Sequence, residues 1–106
     1  MTFKAIDCAQ LKERLSEDNL VIADIRDVNS FNDAHIPNSI NVSNENIAQF
    51  MMERDFEQPI IVVCYHGISS QGAANYLIGQ DFEDVYSLVG GFTDWASKFP
   101  GDVAKA

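Results

Sequence analysis

The sequence predicts an α/β domain, a parallel sheet wrapped by helices, and three observations carry that prediction. Apolar runs of strand length alternate almost strictly with stretches of helical apolar spacing. Two of those runs, Leu20 to Ile25 and Ile60 to Val63, are near-continuous, the pattern of strands covered on both faces. The chain has 106 residues, 46% hydrophobic and 22% charged, which suits one core and is too short for a second. A single domain over 1–106 is therefore expected, with no repeat, low-complexity segment or linker.

Each element follows from its residues. Phe3 to Ile6 reads as a short first strand, and Asp7 caps a helix through the box-like Asp7-x-x-Gln10, with Cys8, Leu11 and Leu15 on one face. Cys8 is thus a packing residue. Leu20 to Ile25 is a central strand, and a helical turn over Ser30 to Ala34 leads to His35-Ile36-Pro37, where proline stops the helix. Ser39 to Val42 alternates as a half-exposed strand, and Ser43 caps a helix whose Ile47, Phe50, Met51 and Arg54 follow helical spacing, with the pair Met51-Met52 read as core filler. Ile60 to Val63 is the next strand. The helix after it carries Ala73, Ala74, Leu77 and Ile78 and closes at Gly79. Val85 to Val89 is the last strand, and Gly90-Gly91 makes a tight exit that sets Phe92 and Trp95 as core anchors on a final helical turn.

Charge narrows the function. A formal net charge of −9 argues against nucleic acid or an anionic membrane as partner, since both demand a basic face. The first twenty residues carry Lys4, Asp7, Lys12, Glu13, Arg14, Glu17 and Asp18, which leaves no apolar core for a signal peptide, and no run approaches membrane-spanning length. A cytoplasmic protein is expected. Cys8 and Cys64, far apart and in different elements, are expected as free thiols rather than a disulfide.

Chemistry concentrates at Cys64. It stands at the end of an apolar strand, and Tyr65-His66-Gly67-Ile68-Ser69-Ser70 follows as a polar turn opening a helix. A thiol there faces backbone amides and the positive end of a helix dipole, both of which favour the thiolate. Cys64 and His66 alone make no zinc site, which needs three or four ligands at recognisable spacing.

The chain resembles the single-domain rhodaneses, most closely the short GlpE-type thiosulfate sulfurtransferases. The resemblance spans nearly the whole sequence: Asp24-Ile25-Arg26, Phe31-x-x-x-His35-Ile36-Pro37-Asn38-Ser39, the loop from Cys64 to Ser69, and Gly90-Gly91-Phe92-x-x-Trp95, in that order. Departures are Asn38-Ser39 where the family usually has Gly-Ala, Ser30 where an acidic residue is common, and Gln71 where the GlpE-like pattern has lysine. The resemblance implies a three-layer fold, a five-stranded parallel sheet with helices on both faces. It also implies a cradle formed by the loop from Cys64 through Tyr65, His66, Gly67, Ile68 and Ser69, with Cys64 carrying sulfur as a persulfide.

A ring of amides suits that cargo, because it stabilises a charged S–S⁻ group without proton transfer. Cys64 is accordingly expected as the nucleophile that takes the outer sulfur of thiosulfate and passes it to a thiophilic acceptor. Cyanide would serve in an assay, and a thiol or a thioredoxin-like dithiol in the cell. No cofactor enters this scheme. Gly67 lets the loop turn inward, and Ser69 and Ser70 are expected to cap the following helix rather than donate to sulfur. His66 is read as a solvent-facing side chain, since a thiolate needs no base, and the resemblance implies for His35 a buried, hydrogen-bonded histidine at a helix-to-strand corner. Asp24 and Arg26 read as a structural ion pair near the sheet end. A module that relays sulfur without turnover would look the same. A Cys-dependent phosphatase or arsenate reductase would need arginine where this chain has Ser70.

Overall fold

A computed structural model describes residues 2–105. Five strands form one sheet: β1 (Lys4–Ile6), β2 (Val21–Asp24), β3 (Ile40–Asn41), β4 (Ile60–Val63) and β5 (Val85–Leu88). Their spatial order is β1-β5-β4-β2-β3, and all four pairings are parallel. The helices are α1 (Cys8–Arg14), α2 (Val28–Asp33), α3 (Ile47–Met52), α4 (Ser69–Gly79) and α5 (Gly91–Lys98).

The twofold alternation of β4 builds two cores. Ile61 and Val63 point to a cluster with Cys8 and Leu11 of α1 and Phe92 and Trp95 of α5. Ile60 and Val62 point the other way, to Phe50 of α3 and Ala74 and Leu77 of α4. All four β4 side chains are 0% exposed, and each such burial is worth about 2 kcal/mol. β4 is therefore the least movable element, and whatever follows it inherits a fixed origin.

Local signals set most boundaries. The Asp7 carboxylate accepts from the Gln10 amide at 2.8 Å while the Gln10 side chain accepts from the Asp7 amide at 2.9 Å, the reciprocal box read from the sequence. The Ile36–Ser39 turn places Asn38 at φ +67°, a conformation that asparagine tolerates almost as glycine does, so the departure from Gly is structurally neutral.

One core expectation fails, since Met51 packs against the core but Met52 beside it is 86% exposed, on the outer side of α3. Three expected boundaries are also corrected. Ser43 does not cap α3, which starts at Ile47; its carbonyl accepts from Asn46 and Ile47 in the preceding turn. Gly79 is the last helical residue of α4 rather than its left-handed terminator, a place taken by Asp81 at φ +76°. The turn expected over Ser30 to Ala34 is α2, which begins two residues earlier because Asp27 accepts from the Ser30 amide.

Candidate active site

Cys64 leaves the sheet at the carboxyl edge of β4, itself 3% exposed. The chain turns through Tyr65, His66, Gly67 and Ile68 and enters α4 at Ser69. Gly67 makes the turn possible: its φ is +84°, and a Cβ there would lie 2.8 Å from the Gly90 nitrogen and 2.9 Å from the Leu88 oxygen.

The start of α5 grips the loop from behind. The Phe92 amide donates to the Cys64 carbonyl at 2.8 Å and the Thr93 amide to the Tyr65 carbonyl at 3.0 Å. In a trans peptide the N–H points opposite to the C=O, so these anchors turn the Tyr65 and His66 amides away from α5. Gln71 treats the Gly67–Ile68 peptide likewise, its Nε2 donating to the Gly67 carbonyl at 2.9 Å.

The result is a sulfur ringed by donors. The Gly67 amide donates to Cys64 Sγ at 3.1 Å, and the Ser70 hydroxyl lies 3.3 Å from the same atom. Burial pushes the Cys64 thiol up, but bonds from the Ser70 hydroxyl and from the Ser70, Gly67 and His66 amides outweigh it, and its pKa falls below the ordinary cysteine value. Ser70 therefore does not cap α4, contrary to expectation. Ile68 occupies the cap position with no side-chain bond, and the buried Ser70 hydroxyl serves the sulfur instead.

The remaining candidates fall into place around this centre. Tyr65 is part of the rim, its hydroxyl donating to Asp27 Oδ1 and lying 2.7 Å from Ser30 Oγ, which ties the loop to the start of α2. The Tyr65 bond, then those from Ser30, hold the Asp27 carboxyl down at about 2. His66, Ile68 and Ser69 are exposed at the mouth, and His66, Gly67, Ile68 and Gln71 line a cavity of about 380 Å³ beside the loop. His35 is half-buried, stacked on Phe31 at 3.9 Å with Nδ1 against the Phe31 carbonyl at 2.7 Å, and its backbone pairs with Ala104. Asp24 and Arg26 form a buried pair at 2.8 Å, with Arg26 also donating to the Ala34 carbonyl and packed over Phe92 at 4.1 Å. The Arg26 Nε and Nη2 are held by Asp24 and the Ala34 carbonyl.

Among the described residues, no group of three or more His, Cys, Asp or Glu is arranged to hold a metal ion. No described helix is long and apolar enough to cross a membrane.

Residues 7–98 match the rhodanese-like domain family. The chain belongs to the rhodanese family. It is 58% identical over 105 residues to the thiosulfate sulfurtransferase GlpE of Pseudoalteromonas translucida, covering 99% of this chain and 100% of that protein. To the GlpE of Shewanella oneidensis it is 51% identical, over 89% of this chain and 93% of the relative. The crystal structure of the Alr3790 protein from Anabaena sp. superposes with a TM-score of 0.83 at 26% identity, over 94% of this chain and 80% of that one. The parallel sheet with helices on both faces is thus the rhodanese fold, as the motifs imply.

Two contributors escape sequence reasoning. Ser87 on β5 stands 2.7 Å from Ser70 Oγ, and the amides of Phe92 and Thr93 set the loop. A serine within an apolar strand is a weak signal for the first, and main-chain donors leave no trace in side-chain identity.

Proposed function

We propose that this rhodanese is a thiosulfate sulfurtransferase in which Cys64 is the nucleophile and the loop from Tyr65 to Ser69 holds the sulfur. One observation carries the reading: the Cys64 sulfur is met by an amide at 3.1 Å and a hydroxyl at 3.3 Å, a setting that favours an anion on that atom. Relatives named thiosulfate sulfurtransferase, aligned along nearly the whole chain, support the donor.

In the first half-reaction the Cys64 thiolate attacks the outer sulfur of thiosulfate. A Cys64–sulfur bond forms, the bond to the sulfonate sulfur breaks, and its electron pair leaves with sulfite. The persulfide anion rests on the His66, Gly67 and Ser70 amides. In the second half-reaction cyanide or a thiolate attacks the terminal sulfur, and the Cys64 thiolate is released. With a dithiol acceptor of the thioredoxin type, one thiolate takes the sulfur as a persulfide and the second attacks the sulfur of the first, forming a disulfide and releasing hydrosulfide. Such chemistry belongs in a reducing compartment, and the two free cysteines fit the cytoplasm.

The test is intact mass after thiosulfate, with turnover to cyanide measured beside it. A gain of one sulfur, absent in Cys64→Ser, together with repeated turnover is expected. Sulfur gained without turnover would mean a relay; no gain would overturn the reading.

A further inference from the structure

Ser70 and Ser87 form a buried hydroxyl chain that ends on the Cys64 sulfur. They are 0% and 3% exposed, their oxygens 2.7 Å apart, with Ser70 Oγ 3.3 Å from Sγ. Ser87 comes from β5, where it pairs with Val62 of β4, so the two serines reach the sulfur from different elements. A hydroxyl has one proton to give. A thiolate only accepts, so against it the Ser70 proton must point to sulfur, and the 2.7 Å bond then requires Ser87 to donate to Ser70. With the thiol protonated the chain can run the other way, from sulfur to Ser70 to Ser87. Without Ser87, the Ser70 rotor loses the partner that aims it, and helical serines readily turn to the carbonyl one turn back.

We propose that Ser87 is a positioning residue for sulfur transfer: it donates to the Ser70 hydroxyl and so holds the Ser70 proton on the Cys64 sulfur. This deepens the sulfurtransferase reading and rests on it. Two bonds in series polarise each other, so the chain stabilises the anion more than Ser70 acting singly. Ser87 also lines the cavity of about 380 Å³ beside the loop, which leaves room for an added methyl. The titratable and charged groups on the elements around the thiol are Asp24, Arg26 and Asp27, Tyr65 and His66, Tyr76 of α4, Tyr86 of β5 and Asp94 and Lys98 of α5, and none of these is altered by the test.

The test follows the pH dependence of Cys64 alkylation by iodoacetamide, in a Cys8→Ala background so that one thiol reports. Ser87→Val and Ser87→Thr have nearly equal shape and differ in the hydroxyl, which separates the bond from packing. The valine variant should raise the midpoint by roughly half a unit to one unit, with thiosulfate kcat/KM at pH below that midpoint reduced about threefold to tenfold, and threonine should restore both. In a Ser70→Ala background Ser87→Val should shift nothing further. An unchanged midpoint in Ser87→Val, equal shifts for valine and threonine, or an additive shift without Ser70 would overturn the proposal. Alkylation needs no sulfur donor, so a protein that shifts as described yet fails to turn over thiosulfate would sink the sulfurtransferase reading alone.

Discussion

Cys8 and Cys64 are both buried, yet their surroundings drive their thiols in opposite directions. Cys64 faces amides and a hydroxyl. Cys8 packs between α1 and α5 with its sulfur 3.7 Å from Asp94 Oδ2, and burial first, then the Asp94 charge, pushes it from 9.0 up to about 11. Only Cys64 should therefore react near neutral pH: iodoacetamide should label it selectively, thiosulfate loading should protect it, and Cys64→Ser should fold while losing all transfer. Cys8→Ala should keep turnover, which a cyanide assay on both variants would establish. The same contrast sets a pH dependence of stability. A raised pKa means the folded state keeps a proton that the unfolded chain releases, so the Cys8 contribution is full below about 9 and lost as pH rises through about 11. Urea midpoints across that range should fall less steeply in Cys8→Ala than in the natural protein; parallel slopes would contradict the assignment. Cys64 was legible at this scale because a cysteine ending an apolar strand is a local pattern. Ser70 was not, since only the folded turn reveals that its hydroxyl points at sulfur rather than at the helix it opens.

The junction of the loop with α5 carries the strain that shapes the site. Gly91 has φ +62°, and a Cβ on it would lie 2.5 Å from the Tyr65 oxygen and 2.6 Å from the Cys64 oxygen, the carbonyls that α5 holds. Gly91→Ala and Gly67→Ala should each lower stability by about 1–3 kcal/mol and cost activity beyond that, because relief of either clash rotates the amides off the sulfur. Alanine at Gly72, where an added Cβ meets nothing within 4 Å, is the control and should leave activity intact. Thermal melts and turnover on the three variants would decide it. The strands were readable because burial on both faces enforces apolar runs at β2 and β4. Helix starts were readable where a side chain closes them, as at Asp7, and misread at Ser43, whose hydroxyl closes the turn before α3 onto the Glu45 amide, and at Ser69, where Ile68 holds the cap position with no side-chain bond.

For the molecule as a whole, charge and cradle pull against each other. Thiosulfate is a dianion approaching a chain of net charge −9, and the loop from Cys64 to Ser70 holds no Lys or Arg. Screening lengths shrink from about 30 Å at 0.01 M salt to about 8 Å at 0.15 M, so apparent KM for thiosulfate should fall or hold steady over that range. Gln71→Lys, which adds a cation at the edge of the cavity and keeps a donor within reach of the Gly67 carbonyl that Gln71 holds, should lower KM with little change in kcat; a KM that climbs steeply with salt would point to a cation elsewhere. The loop itself has two separable faces. Its main chain, which on the proposed reading holds the cargo, is anchored from behind by α5 and Gln71, while the side chains of Ile68, 75% exposed, and His66 face outward. Substitutions at positions 66 and 68 should therefore change acceptor preference without disturbing how the sulfur is carried, as a grammar would swap delivery addresses on an unchanged parcel; paired turnover assays with cyanide and a dithiol acceptor check it.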